Sequence, residues 1–322
     1  MMAKMSNLTT PDARSAALAP DREGFFERAG GRLRYCIWNA AGTARGPTRG
    51  SIVLVHGRAE FIEKYAMEVV GELRDRGFAV YALDIRGQGL SDRMLPDHDK
   101  GHIDDFATYV ADLTAFLETV VVPTAPQPLL LVSHSTGGNI VLRFLGDEGC
   151  GLFAAAAFCS PMTGLPNAWL ARSVLAITGL LPFLDTRYAP TTGPYDPRKH
   201  PFAGNDVTHD ERRYDFTAQW FAADPRLTLG GPTIGWVRQA YRSFDTIDAP
   251  GYLERLTLPV LIVSAGQDTV VDTATHRRAA ARISGAVHAV VEGARHEILM
   301  ETDELRAQFW NVFDRFAKSV IG

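Results

Sequence analysis

Leu129-Leu-Leu-Val132, running straight into Ser133-His134-Ser135-Thr136-Gly137-Gly138, is the stretch that decides the fold. Four apolar residues in a row suit a strand buried on both faces. They lead without a spacer to a serine flanked two positions away by small residues, Ser133 and Gly137, and then to a helical pattern over 138–145. A strand that turns abruptly into a helix at a serine lifts the hydroxyl clear of the sheet, and the crowding at such a turn demands small flanks. Glycine is commoner than serine at the first flank, but serine is small enough to fit. Ser135 is therefore the expected nucleophile. His134, directly before it, is read as a packed neighbour of the turn.

Working outward, apolar runs at 51–55, 78–83, 153–159, 259–264 and 286–291 alternate with helical patterns at 62–76, 104–121, 272–283 and 303–320. In the last of these, Leu305, Phe309, Val312 and Phe316 fall on one helical face. Strands alternating with helices imply a mostly parallel central sheet covered on both faces, an α/β fold. The alternation stops between about 160 and 258, a length too great for a loop in a compact domain. The expected organisation is a flexible N-terminal tail over 1–20, an α/β core from 21–160 and 250–322, and an inserted, mainly helical cap over 161–249.

The composition fits that picture and removes other classes. The 322 residues are 46% hydrophobic and 22% charged, the balance of an ordinary globular protein. A net charge of −4 speaks against a sequence-independent nucleic-acid binder, which needs a cationic excess. The three cysteines, Cys36, Cys150 and Cys159, show no C-x-x-C spacing and read as small hydrophobes in a reducing compartment. The first twenty residues lack the apolar core of a secretory signal. The expected location is cytoplasmic, at most peripheral at the inner face of a membrane. The apolar stretch 169–184 is shorter than the roughly 20 residues of a spanning helix and carries Arg172. It is open to two readings: a half-buried helix of a water-soluble protein, or a surface that meets lipid.

A serine hydroxyl needs a base, and the base needs a carboxylate that fixes its tautomer. Asp268 lies just past the run at 259–264, in Ala265-Gly-Gln-Asp268, and His296 just past the run at 286–291, in Ala294-Arg-His296-Glu297. Both positions are loops at the carboxyl ends of strands, where open α/β sheets carry their sites. Asp272 reads instead as the cap of the helix that follows it. Glu292 and Glu297 read as solvated charges. His98, His102, His200, His209, His276 and His288 read as structural or surface residues. An oxyanion needs preorganised donors. The candidates are the backbone N–H groups of Thr136, at the start of the helix after the serine, and of Arg58, in the loop after 51–55. The Arg58 side chain is also a candidate to meet an anion, against the plainer reading of a solvated arginine. The glycine-rich Asp84-Ile-Arg-Gly-Gln-Gly89 lacks both G-x-G-x-x-G and the lysine of a phosphate loop. No cofactor is expected, and no His, Cys or carboxylate cluster has metal-ligand spacing.

Taken together, His56-Gly57 with Glu60, Asp84-Ile-Arg-Gly-Gln-Gly-Leu-Ser91, the Ser133–Gly138 turn, Asp268 and His296 resemble the α/β-hydrolase superfamily. Gly57-Arg-Ala-Glu60 with Lys64-Tyr65, Gly101-His-Ile103, Leu227-Thr-Leu-Gly-Gly-Pro-Thr233 with Trp236-Val-Arg238, and His296-Glu-Ile-Leu299 narrow the likeness. They resemble the monoglyceride lipase and bacterial lysophospholipase (L-two type) group, over nearly all of the chain after about residue 24. The resemblance implies a serine hydrolase acting on the carboxylic ester of a single-chain lipid through an acyl-enzyme. In that reading Trp169, Leu175 and Phe183, with Leu170, Val174, Leu180 and Leu181 beside them, offer apolar surface to an acyl chain, or simply pack the cap onto the core. A general short-chain carboxylesterase or a cofactor-free perhydrolase would use the same three residues. An acyl-binding protein with a silent site is the alternative outside enzymes. Transfer of the acyl group to an acceptor other than water stays open. A relative with an aspartate nucleophile is disfavoured by the serine at 135.

Overall fold

The apolar runs become the middle of one sheet. A computed structural model describes residues 18–41, 48–179 and 181–322, without the side chains of Leu170 and Val174. In chain order the strands are β1 (Arg22–Arg28), β2 (Gly31–Trp38), β3 (Gly50–Val55), β4 (Phe78–Leu83), β5 (Leu129–His134), β6 (Ala155–Cys159), β7 (Val260–Ala265) and β8 (Val287–Val291). In space they lie β1-β2-β4-β3-β5-β6-β7-β8. All neighbours from β4 to β8 pair in parallel, and β1 and β2 add an antiparallel edge. Strands β3 to β7 are buried at every position.

Each inner strand serves two cores because successive side chains point to opposite faces. Val53, Val55, Leu129 and Leu131 join one cluster, with residues from the helices Phe106–Phe116 (α3) and Thr136–Asp147 (α4). Ile52, Leu54, Leu130 and Val132 join the other. That cluster holds residues from the helices Ile62–Ala66 (α1), Val69–Asp75 (α2) and Asp303–Ile321 (α9). On α9 Phe309 and Phe316 are buried as the apolar spacing predicts, while Leu305 and Val312 are only half-buried and Trp310 and Phe313 complete the inner face. Cys36 and Cys159 are buried as expected, and Cys150 is half-buried.

Three features depart from the expected pattern. The hairpin β1–β2 was not foreseen, because much of β1 is charged and exposed. The helix expected over 62–76 is two short ones, since the Ala66 carbonyl accepts from the Leu18 N–H (2.8 Å) and the helical ladder stops there. The helix expected from 104 starts at Phe106, where Asp105 caps it through the Ala107 N–H. The N-terminal tail lies outside the described residues up to 17. Leu18, its last part, is tied in through its carbonyl, which accepts from Trp38 Nε1 at 2.9 Å.

Between β6 and β7 the chain forms the helices Ala168–Thr178 (α5), Glu211–Ala223 (α6) and Ile234–Asp248 (α7), joined by irregular turns. The third of these packs as core. Trp236, Ala240, Tyr241, Phe244 and Ile247 sit in the same cluster as α3 and α4. Ser243 Oγ also donates to Asn139 Oδ1 of α4 at 2.6 Å. Helix α6 forms a separate small cluster, in which Phe216, Trp220 and Phe221 close over Phe61. After β7 comes the helix Thr273–Arg282 (α8), capped by Asp272 through the Ala274 N–H as its sequence position suggests. No helix among the described residues is long and apolar enough to cross a membrane.

Candidate active site

The turn at Ser135 is as tight as its sequence implies. Ser135 has φ 49° and ψ −118°, a conformation that side-chain-bearing residues rarely hold and that the surroundings must enforce. Three backbone bonds do so: Ser135 N–H donates to the Cys159 carbonyl, while the Ser135 carbonyl accepts from Met162 and Asn139. Gly137 is needed for contact rather than flexibility. A Cβ there would lie 2.3 Å from the Val55 carbonyl oxygen and 2.4 Å from that of His56, where α4 starts against the end of β3. Ser133, at the other flank, is fully buried.

The loops after β7 and β8 bring the remaining two residues to this turn. His296 Nε2 lies 2.9 Å from Ser135 Oγ, and His296 Nδ1 lies 2.8 Å from Asp268 Oδ2. With its proton on Nδ1, the imidazole donates to Asp268 and leaves Nε2 to accept from the serine hydroxyl. The other oxygen of Asp268 accepts from the Val270 and Val271 N–H groups at 2.9 and 3.0 Å. Burial alone would raise the Asp268 carboxyl; the hydrogen bond and charge of His296, with those two amides, outweigh it and hold it below the usual carboxylate range. The His296 loop is clamped by buried Glu301, which accepts from the backbone N–H groups of Arg295 and His209.

Beneath these three residues lies an ionic network that the sequence reading missed. Glu60 accepts from the Gly57 N–H, from Tyr65 OH at 2.8 Å and from Lys64 Nζ at 2.8 Å, and its Oε2 lies 3.1 Å from His134 Nδ1. Lys64 Nζ also lies 2.7 Å from Glu297 Oε1. On its other side the His134 ring approaches the His296 carbonyl, with Nε2 at 3.3 Å. His134 is thus more than packing, and Glu297 is an ion-pair partner where a solvated charge was expected. The signal was present as Glu60 and Lys64 four residues apart and a carboxylate directly after His296. Their common burial was not visible in the sequence.

The remaining motifs are structural. Asp84 accepts from the Ile62 and Leu90 N–H groups and pairs with Arg34 at 3.2 Å. Gly89 curls so closely over this carboxylate that a Cβ would lie 2.1 Å from its carbon. Arg86 makes a two-pronged contact to Asp112 at 2.6 and 2.7 Å. Among the other histidines, His102 bonds Thr233 and Asp104, and His276 bonds Ser264 and the Pro161 carbonyl.

Two cavities among the described residues bear on the substrate, although neither is lined by Ser135, Asp268 or His296. The first, about 280 Å³, is lined by Pro166, Ala171, Leu175, Pro190, Ile234 and Val237 and is largely apolar. The second, about 610 Å³, is bordered by Arg58, Ala59, Lys64, Lys199, Tyr214 and Glu297. Their linings have no residue in common, though Ala189 and Pro190 of the first precede Thr191 and Thr192 of the second in the chain. Of the three residues expected to hold an acyl chain, only Leu175 faces a cavity. Trp169 and Phe183 point outward, 73% and 67% exposed, and Ile177 is exposed with them. A free apolar run on a helix cannot tell the inner face from the outer when both are apolar. Leu180 and the side chains of Leu170 and Val174 lie outside the described residues.

Known proteins share this architecture. The chain is 36% identical over 266 residues to the lysophospholipase L2 of Escherichia coli K12, covering 80% of this chain and 76% of that one. It is 24% identical over 304 residues to mouse monoglyceride lipase, covering 92% and 91%. Its fold matches a soluble variant of the monoglyceride lipase of Saccharomyces cerevisiae with a TM-score of 0.72 at 19% identity, over 93% of this chain and 95% of that one. Residues 46–303 match the family described as serine aminopeptidase, S33. The chain therefore belongs to the serine aminopeptidase S33 family of α/β-hydrolases, in its lysophospholipase and monoglyceride lipase branch.

Proposed function

We propose that the protein cleaves the carboxylic ester of a single-chain lipid, with Ser135 as nucleophile, His296 as general base and Asp268 as its orienting carboxylate. Its family and its relatives make it a carboxylic ester hydrolase. The observation that carries the residue roles is the unbroken chain of contacts from Ser135 Oγ through His296 to Asp268. Ser135 Oγ attacks the ester carbonyl while its proton passes to His296 Nε2; the imidazolium then gives that proton to the departing alcohol oxygen. A water, deprotonated by the same nitrogen, attacks the acyl carbonyl; the acyl–Oγ bond breaks, Oγ takes the proton back from His296 and the fatty acid leaves. The tetrahedral oxyanion is held by the N–H groups of Thr136 and Arg58. Gly57 and Ala59, on either side of Arg58, donate to the side chains of Glu60 and Gln88, which leaves the Arg58 N–H for the substrate.

The apolar cavity against Leu175 is the place for the acyl chain, with the helical segment after β6 acting as a cap over it. Burying apolar surface there supplies about 25 cal/mol per Å². The test is kcat/KM for monoacylglycerols and lysophosphatidylcholines of graded chain length, set against p-nitrophenyl acetate. Long-chain esters should lead. A clear preference for the acetate over every lipid would favour a short-chain esterase. Leu175→Trp, which fills part of that cavity, should lower kcat/KM for the longest chains relative to shorter ones by about tenfold, a loss of about 1.4 kcal/mol. A chain-length profile unmoved by that change would put the acyl chain elsewhere.

The outward face of α5 and the turn after it supports a lipid-surface contact. Trp169, Ile177 and Phe183 are exposed apolar residues close in sequence. Each aromatic buried in a lipid interface contributes about 1.5–3 kcal/mol. The double variant Trp169→Ser, Phe183→Ser should therefore bind vesicles at least about tenfold less in a sedimentation assay, with hydrolysis of a short soluble ester kept as the folding control. Equal sedimentation of the two proteins would dismiss the contact.

A further inference from the structure

His296 holds two contacts at once, 2.9 Å to Ser135 Oγ and 2.8 Å to Asp268 Oδ2. The carboxylate sets the turn of the ring, but the backbone from which the ring projects needs anchors of its own. Gln267 N–H donates to the Ala294 carbonyl at 2.8 Å, which joins this short loop to that of Asp268. Glu297 N–H donates to the Val207 carbonyl at 2.9 Å, and the Glu297 carbonyl accepts from the Met300 N–H at 2.7 Å. A further anchor comes from the far side of the nucleophile. The Glu297 carboxylate lies 2.7 Å from Lys64 Nζ. Lys64 belongs to α1, after β3, whereas the His296 loop follows β8, and in the sheet these two strands lie on opposite sides of β5 and its Ser135.

The same ammonium has a second partner. Lys64 Nζ donates to Glu60 Oε1 at 2.8 Å, and the other Glu60 oxygen accepts from the Gly57 N–H. Gly57 opens the loop whose Arg58 N–H is the proposed oxyanion donor. One cation thus stands between the loop of the oxyanion and the loop of the base. The pair is shielded, with the Lys64 and Glu297 side chains 4% and 16% exposed. An ion pair held out of water keeps an attraction that solvent and salt take from a surface pair. Burial alone would lower the Lys64 ammonium; Glu297 first and Glu60 after it outweigh that and hold it above the ordinary range. Lys64 and Glu297 also border the 610 Å³ cavity together with Arg58 and Ala59. A ligand seated there covers the pair and strengthens it by displacing the remaining water.

We propose that Lys64 and Glu297 are positioning residues, whose ion pair braces the His296 loop against the oxyanion loop and so sets the spacing between the base and the oxyanion donors. The proposal rests on the ester-hydrolase reading above and concerns the rate of that reaction whatever its ester. Rate is steep in geometry: a misplacement of about 1 Å in a catalytic constellation costs up to about 10²-fold. A brace of this kind acts on the reacting groups through His296 and Gly57, so its loss appears in kcat while KM stays nearly unchanged.

The test uses the full-length wild type, Glu297→Ala, Glu297→Gln, Lys64→Met, Lys64→Arg and His296→Ala. It measures kcat and KM for p-nitrophenyl acetate and for a monoacylglycerol, the rate of covalent labelling by a fluorophosphonate, and the melting temperature. In Glu297→Ala, kcat should fall about tenfold on both esters with KM within about twofold, and labelling should slow by the same factor. Glu297→Gln, which can still accept a hydrogen bond from Lys64, should regain part of the rate. Lys64→Met should lose at least as much as Glu297→Ala, and Lys64→Arg, which still meets both carboxylates, should keep most of the activity. Wild-type kcat and labelling in Glu297→Ala would overturn the brace, and so would a loss confined to KM or to melting temperature. If Lys64→Met does not fold, Glu297→Ala decides alone. Full activity in His296→Ala would instead refute the reading of the base itself; its loss there, with Glu297→Ala unaffected, overturns the brace and leaves the base in place.

Discussion

Ser135→Ala should lower kcat by about 10⁵–10⁶-fold and abolish covalent labelling by a fluorophosphonate, while leaving the fold intact. The size follows from the role proposed for the serine. Without Oγ there is no acyl-enzyme, and only the oxyanion donors and substrate binding remain, which together sustain about 10³–10⁴-fold over water. The fold should survive because the strained turn is held by backbone bonds from Cys159, Met162 and Asn139, none of which uses the hydroxyl. Ser135→Gly should be equally inactive and more stable, since glycine carries no penalty at φ 49°. Turnover and labelling that persist in the alanine variant would mean that another residue is the nucleophile.

Glu60→Ala should cost about 3–5 kcal/mol of stability and, separately, lower kcat about 10²-fold. Removing one member of a buried ionic cluster leaves the others charged and unmatched. Here Lys64 keeps Glu297, but His134 and the Gly57 N–H lose their acceptor. The loss in kcat comes through Gly57, whose tether fixes the loop that carries the Arg58 N–H. Chemical denaturation and single-substrate kinetics measure the two effects. A variant as stable and as fast as the wild type would show that the network is dispensable.

The pH dependence of stability gives a second readout of the same residue. Burial alone would raise the Glu60 carboxyl, but Lys64 and His134 outweigh it and hold it well below the carboxylate range. Its contribution is therefore present above the ordinary carboxylate value and lost as pH falls through the depressed one. Burial alone would lower His134; the charge and hydrogen bond of Glu60 outweigh it and hold it above the ordinary imidazole value of 6.5. That contribution is full below 6.5 and lost as pH rises through the raised value. Glu60→Gln should flatten both limbs of the stability profile.

Much of this was legible in the sequence because it rests on local patterns. The unbroken apolar strand into Ser135 marked both the parallel sheet and the turn. Asp268 and His296 were marked by their place just after apolar runs. What stayed hidden depends on which face of an element is covered. The hairpin β1–β2 alternates too weakly at a charged edge to declare itself. Helix α7 reads like the rest of the insertion, and only packing shows Trp236, Tyr241 and Phe244 joining the sheet's own core. Trp169 and Phe183 are as apolar as Leu175, but point the other way. Glu297 looks solvated until Lys64, far away in the chain, arrives beside it.

The packing of α7 redraws where this molecule can be cut. A foreign lid spliced in place of the whole stretch from 161 to 249 would carry away the side chains that cover α3 and α4, and with them the hydroxyl that holds Asn139. If the segment after β6 is the proposed cap, its exchangeable part ends before Thr233. A chimaera that keeps Thr233 and everything after it retains the floor on which its new lid must rest.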